Sequence, residues 1–181
     1  LRDRRSVTNL AAVGQVIEFA EKISEFEGLA AILETDLAAL GPDRMPSAWR
    51  ESVVSGTLKF GFADAAGQVP NLKGSAETAV AAVCQRCLEP FELALCIEPD
   101  LLLLKADDVA EGFEDAEVWE LDEQVLRPRD IVEELLIMAM PFSAMHDNMA
   151  ECKALYAAEV PAEEEIEEML NPFADLRSQM K

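Results

Sequence analysis

The sequence predicts an α+β fold: an antiparallel β meander or partly closed barrel, flanked by helices. Two observations carry the sheet. Before Cys84, the residues Leu72, Ala76, Thr78, Val80 and Ala82 hold alternate positions. After Cys87, Phe91, Leu93, Leu95 and Ile97 do the same, with Glu92, Ala94, Cys96 and Glu98 on the other face. Alternate strand side chains point to opposite faces, so two such runs around a short polar turn read as an antiparallel hairpin. The helices follow from a third observation. Pro128 and Pro141 bracket a segment in which Ile131, Val132, Leu135, Leu136 and Ala139 form one apolar helical face.

In chain order, a polar basic lead-in precedes a proline-free run from Thr8 to Leu40, rich in Ala, Leu, Glu and Ile. Val13, Ile17, Ala20 and Ile23, then Leu29, Ile32, Leu33, Leu37 and Leu40, recur at helical spacing, with Gly28 expected to divide the run. Val16–Ile23 also reads as a strand. Gly41-Pro42-Asp43 and Pro46 make the following loop. Ser52–Phe62, Leu72–Cys84 and Phe91–Leu104 are the strands of the meander, joined first at Asp64-Ala65-Ala66-Gly67. The third breaks at Pro99 and resumes as Leu101–Leu104, apolar on both faces and so expected to be buried. An acidic loop, Asp107–Glu117, leads to a short strand, Val118–Leu121. In the helix at 128–140, Asp130 and Glu133 resemble a capping box. Glu133 and Glu134 diverge around the helix and read as solvated acids of its first turn rather than as a catalytic pair.

The expected organisation is one domain over 1–181, with a helical region at 1–45, a sheet-plus-helix core at 50–141 and an acidic segment at 142–181. Arg2, Arg4 and Arg5 precede no apolar run, which argues against a secretory signal. No apolar stretch is long enough for a membrane span. Four cysteines, two of them in Cys-x-x-Cys, argue against a disulfide framework and for a reducing cytoplasm.

Charge is the strongest bulk signal. The chain holds 36 acidic and 15 basic residues, a formal net charge of −21. Nucleic-acid binding needs cationic neutralisation of phosphates, and no compact basic stripe supplies it, so direct RNA binding is disfavoured. A basic protein partner suits the charge better; the plain alternative is a charge that serves solubility. The segment Glu159–Glu168 is the candidate contact, through Glu163, Glu164, Glu165, Glu167 and Glu168, with Phe173 and Leu176 as an apolar anchor. No Gly-rich phosphate loop or nucleophile–base signature appears, so neither an enzyme nor a small-molecule substrate is expected.

Cys84, Cys87, His146 and Cys152 have the inventory of a closed Cys₃His zinc site. A hairpin tip suits metal binding better than redox work, which favours a helix N-terminus that lowers a thiol pKa. Against zinc stand the long His-x₅-Cys spacing and Leu88, where metal knuckles commonly carry glycine. The alternative is thiols packed as small hydrophobes and His146 as an ordinary loop residue. Cys96, mid-strand on the face with Glu92 and Glu98, is expected to be structural or inert.

The ordered set Cys-x-x-Cys with Pro-Phe, the acidic loop, Asp-Ile-Val-Glu-Glu-Leu-Leu, Met-Pro, His-Asp, Cys and Asn-Pro-Phe-Ala-x-Leu resembles the YceD family. The likeness spans roughly residues 72 to 181. It implies a cytoplasmic bacterial protein, a large ribosomal RNA subunit accumulation protein, needed for synthesis, processing or stability of that RNA. It brings no catalytic residues.

Overall fold

A computed structural model of the chain describes residues 1–105, 108, 112, 113 and 115–152. Two compact units divide the chain, Leu1–Met145 and His146–Lys181. In the first, β1 (Arg5–Ser6) leads into α1 (Val7–Ala12), then β2 (Val16–Lys22) and α2 (Glu27–Leu37). A meander follows: β3 (Val53–Phe62), β4 (Pro70–Val83), β5 (Pro90–Ile97) and β6 (Asp100–Lys105). Then come β7 (Glu117–Leu121), β8 (Val125–Leu126) and α3 (Pro128–Ala139). The described part of the second unit holds one 3₁₀ turn, Met149–Glu151.

The fold is α+β, as the alternation of the sequence predicts. The main sheet runs β2-β3-β4-β6-β7, with β5 also pairing β4, and it is open rather than closed into a barrel. Its pairings are antiparallel except β6 with β7, which run parallel. Strands β5 and β6 are one bent strand: Ile97 pairs Ala76 and Asp100 pairs Lys73, while the Pro99 carbonyl accepts from the Gly74 N–H between them (3.0 Å). Proline has no N–H for the ladder, which is why the break falls there. Leu101 to Leu104 are all buried. Gly56 and Gly74 let β3 and β4 approach closely. A Cβ on Gly74 would lie 2.2 Å from the Thr57 carbonyl oxygen, and one on Gly56 2.3 Å from that of Ser75.

All three helices cover one face. Leu10 of α1, Leu33 of α2 and Leu136 of α3 join Leu58, Phe60, Leu72 and Val80 in a single buried cluster. The residues between them on β3 and β4, such as Ser55, Thr57 and Glu77, lie on the opposite face, which none of these three helices covers.

The N-terminal region is not the helical run that its composition suggests. Val16–Lys22 is a strand, paired with Val53–Lys59 along its whole length. Its alternating half-buried and exposed residues gain more from that pairing than helix propensity offers; propensity is a weak prior that tertiary context overrides. Gly28 does not divide a helix but sits in the first turn of α2.

The capping box at Asp130 is also absent. Helix α3 starts at Pro128 with Arg127 as its N-cap and no side-chain capping bond. Glu133 instead reaches α2. Its Oε1 accepts from the Gly28 N–H (2.5 Å) and the Leu29 N–H (3.0 Å), the second and third residues of that helix. Phe26 stands at the α2 N-cap and offers no acceptor, so Glu133 takes the capping role from another element. Arg129 binds nearby: Nε and Nη2 donate to Glu21 Oε2 (3.1 and 2.8 Å), and Nη1 to the Glu25 carbonyl (2.9 Å).

Candidate metal centre

The tip between β4 and β5 is a tight turn built by its own backbone. The Cys84 N–H donates to the Glu89 carbonyl (3.0 Å), and the Leu88 N–H donates back to the Cys84 carbonyl (2.8 Å). Closing this turn puts Leu88 at φ 59°, the left-handed region that L-residues adopt at a cost. The knuckle conformation is therefore present without the glycine that usually supplies it. The Leu88 side chain is exposed. Cys84 and Cys87 face inward and are buried.

Other parts of the first unit brace the turn. The Gln85 N–H donates to the Ala144 carbonyl (2.8 Å), and Arg86 Nη2 contacts Met145 Sδ (3.6 Å). Arg44 pairs with Glu89 (3.2 Å) and reaches the Leu88 carbonyl (3.4 Å). The Arg44 contact carries no sequence signal, since its partners lie more than forty residues away.

After Met145 the chain folds back on itself within a few residues. Asn148 Oδ1 caps the 3₁₀ turn through the Ala150 N–H (3.0 Å), and the Cys152 N–H donates to the Met149 carbonyl (3.0 Å). This brings Cys152 Sγ to 3.5 Å from His146 Nδ1. The long His-x₅-Cys spacer thus closes to ligand distance because its middle is a helical turn.

One ligand atom from each of Cys84, Cys87, His146 and Cys152 lies within 4.8 Å of the others. Zinc bonds of about 2.3 Å to sulfur and 2.0–2.1 Å to nitrogen give tetrahedral edges of about 3.5–3.8 Å for three sulfurs and one nitrogen. The group has the right donors gathered closely enough that it could hold a metal ion. His146 is half-buried and the three thiols are buried, as suits a closed structural site. Cys96 stands apart from the group, exposed on β5.

The contact residues Glu163, Glu164, Glu165, Glu167, Glu168, Phe173 and Leu176 lie outside the described residues. Among the described residues, no helix is long and apolar enough to cross a membrane. A family model described as large ribosomal RNA subunit accumulation protein YceD matches residues 72–178, more than half of the chain. No match was found among curated proteins or among solved structures.

Proposed function

The chain belongs to the YceD family, whose name ties it to accumulation of large-subunit ribosomal RNA, and we propose that it serves this end in the cytoplasm as a non-enzymatic factor acting through a basic protein partner. The observation that carries the proposal is a net charge of −21 without a basic stripe. Such a chain repels a phosphate backbone and attracts cationic surfaces. Ribosomal RNA is then reached through a protein that binds it. The glutamates at 163–168, with Phe173 and Leu176 beside them, offer charge and an apolar anchor to the basic tail of a ribosomal protein.

A second reading is favoured by the Cys₃His group. A zinc ion held by Cys84, Cys87, His146 and Cys152 makes the protein a metal-stabilised interaction module that escorts a basic ribosomal protein. The two readings are compatible, the second describing how the first is carried out.

The test is capture of partners at low salt with mass-spectrometric identification, beside direct titration with protein-free ribosomal RNA. A basic ribosomal or assembly protein is expected, released as the Debye length falls below about 10 Å. Naked RNA is expected to bind no better than the ~10⁻⁴–10⁻⁶ M of non-specific contacts. Nanomolar binding to the RNA alone would overturn the proposal.

A further inference from the structure

The sheet face that none of the described helices α1, α2 and α3 covers carries three hollows in a row. One, of about 420 Å³, is lined by Glu18, Thr57, Ser75 and Glu77. It shares Ser55, Glu77 and Cys96 with a second of about 340 Å³. The second shares Ala79 with a third of about 460 Å³, which runs between the 46–52 segment and Ala81 and Glu92. Short side chains make the strip a continuous shallow trough.

Its charge has one sign. Glu18, Glu77 and Glu92 line it, and no lysine or arginine does. Of the cations on this face, Lys22 is bound to Glu51 and Lys73 to Asp100 (2.7 Å), while Lys59 stands two residues beyond Thr57, outside the hollows. The ladder fixes the spacing of the three carboxylates. Glu77 is paired with Cys96, and Glu92 lies four residues further along β5, about 13 Å at strand rise. Glu18 is joined through Thr57 to Ser75, so it lies two residues, about 7 Å, to the other side of Glu77. An extended segment of about six to eight residues spans that distance.

We infer that this trough docks an extended, lysine- or arginine-rich segment of the partner, its long cationic side chains entering successive hollows. This rests on the basic-partner reading above and assigns it a surface separate from the glutamate-rich segment at 163–168. Charge decides between occupants. An acidic second copy, the chain's own glutamate-rich segment and RNA are all repelled by three carboxylates, whereas a basic segment is drawn in.

Cys96 provides the readout, being the one exposed cysteine and a lining residue of two hollows. The full-length protein is titrated at low salt with a fluorescent peptide of alternating lysine and alanine, about eight residues long. Maleimide labelling at Cys96 is followed in parallel by mass spectrometry. Saturating peptide is expected to slow labelling about tenfold, and Glu77→Lys with Glu92→Lys to weaken binding about tenfold or more. Replacing Glu163, Glu164, Glu165, Glu167 and Glu168 by Gln is expected to leave the protection of Cys96 intact. Peptide that binds while Cys96 reacts at its unprotected rate overturns the trough and leaves the basic-partner reading standing. No binding at low salt overturns both.

Discussion

Leu88 holds the β4–β5 turn in a conformation that costs an L-residue about 1–2 kcal/mol, whereas glycine adopts it freely. Part of that gain is offset by the larger entropy glycine loses on folding, about 0.5–1 kcal/mol. Leu88→Gly is therefore expected to stabilise the protein by up to about 1 kcal/mol, and Leu88→Val to destabilise it, since β-branching makes the left-handed region worse. Urea midpoints at constant m-value decide the matter; equal losses from both substitutions would show that the turn does not bear this strain. Asp64 is a second residue held by backbone geometry. Its Oδ1 accepts from the Val69 N–H (2.7 Å) and the Gln68 N–H (2.9 Å), at the turn between β3 and β4. The Val69 bond is the main cause that lowers its pKa below the usual carboxylate value; desolvation, the next largest effect, opposes it, and the Gln68 bond adds to the lowering. A depressed folded-state pKa means that the ionised carboxylate stabilises the fold above the unfolded value. That contribution is lost as pH falls through the folded one. Between about pH 5 and pH 2, stability should thus fall less in Asp64→Asn than in the parent; identical slopes would remove Asp64 from the acid response.

Helix α2 owes its start to a side chain of α3. Glu133→Ala leaves the N–H groups of Gly28 and Leu29 without their acceptor, and is expected to cost about 1–2 kcal/mol in denaturant unfolding. Glu133→Gln keeps an acceptor oxygen and loses only the charge, so its cost should be smaller. A null effect of the alanine variant would mean that water caps α2 equally well. Nothing in the sequence marks this bond, because its donors are backbone N–H groups 104 and 105 residues away. The strands were easier to read. Leu58, Phe60, Ala76 and Val80 alternate with half-buried or exposed neighbours because one face of the sheet is buried and the other is open. Strand β2 was ambiguous for the same physical reason: at a sheet edge its inner residues, Ile17 and Phe19, are only half-buried, so its pattern is weak. At the metal group, residue type was legible and geometry was not. Three thiols and one imidazole announce a ligand set, but Leu88 and the six-residue step from His146 to Cys152 hide the turns that assemble it.

Across the whole molecule, the Cys₃His group is expected to couple metal to stability. Structural zinc supplies folding free energy directly, on the order of 10 kcal/mol in small domains. Elemental analysis should find about one zinc per chain, chelation should lower the melting temperature, and Cys84→Ser should abolish retention of the metal. A metal-free protein with the same melting temperature would sink the zinc reading. The contacts that close the first unit have another consequence, for the order in which the chain is completed. Strand β1 pairs with β8 through Arg5 and Leu126, Glu21 is bound by Arg129, and α2 is capped by Glu133. On a ribosome, the elements nearest the N-terminus emerge first and wait for these partners. Until Glu133 emerges, α2 begins with bare N–H groups and β1 has no strand beside it. Closing loops this long raises the entropic barrier and slows folding. The last stretch of the unit to be synthesised is the one that finishes its first.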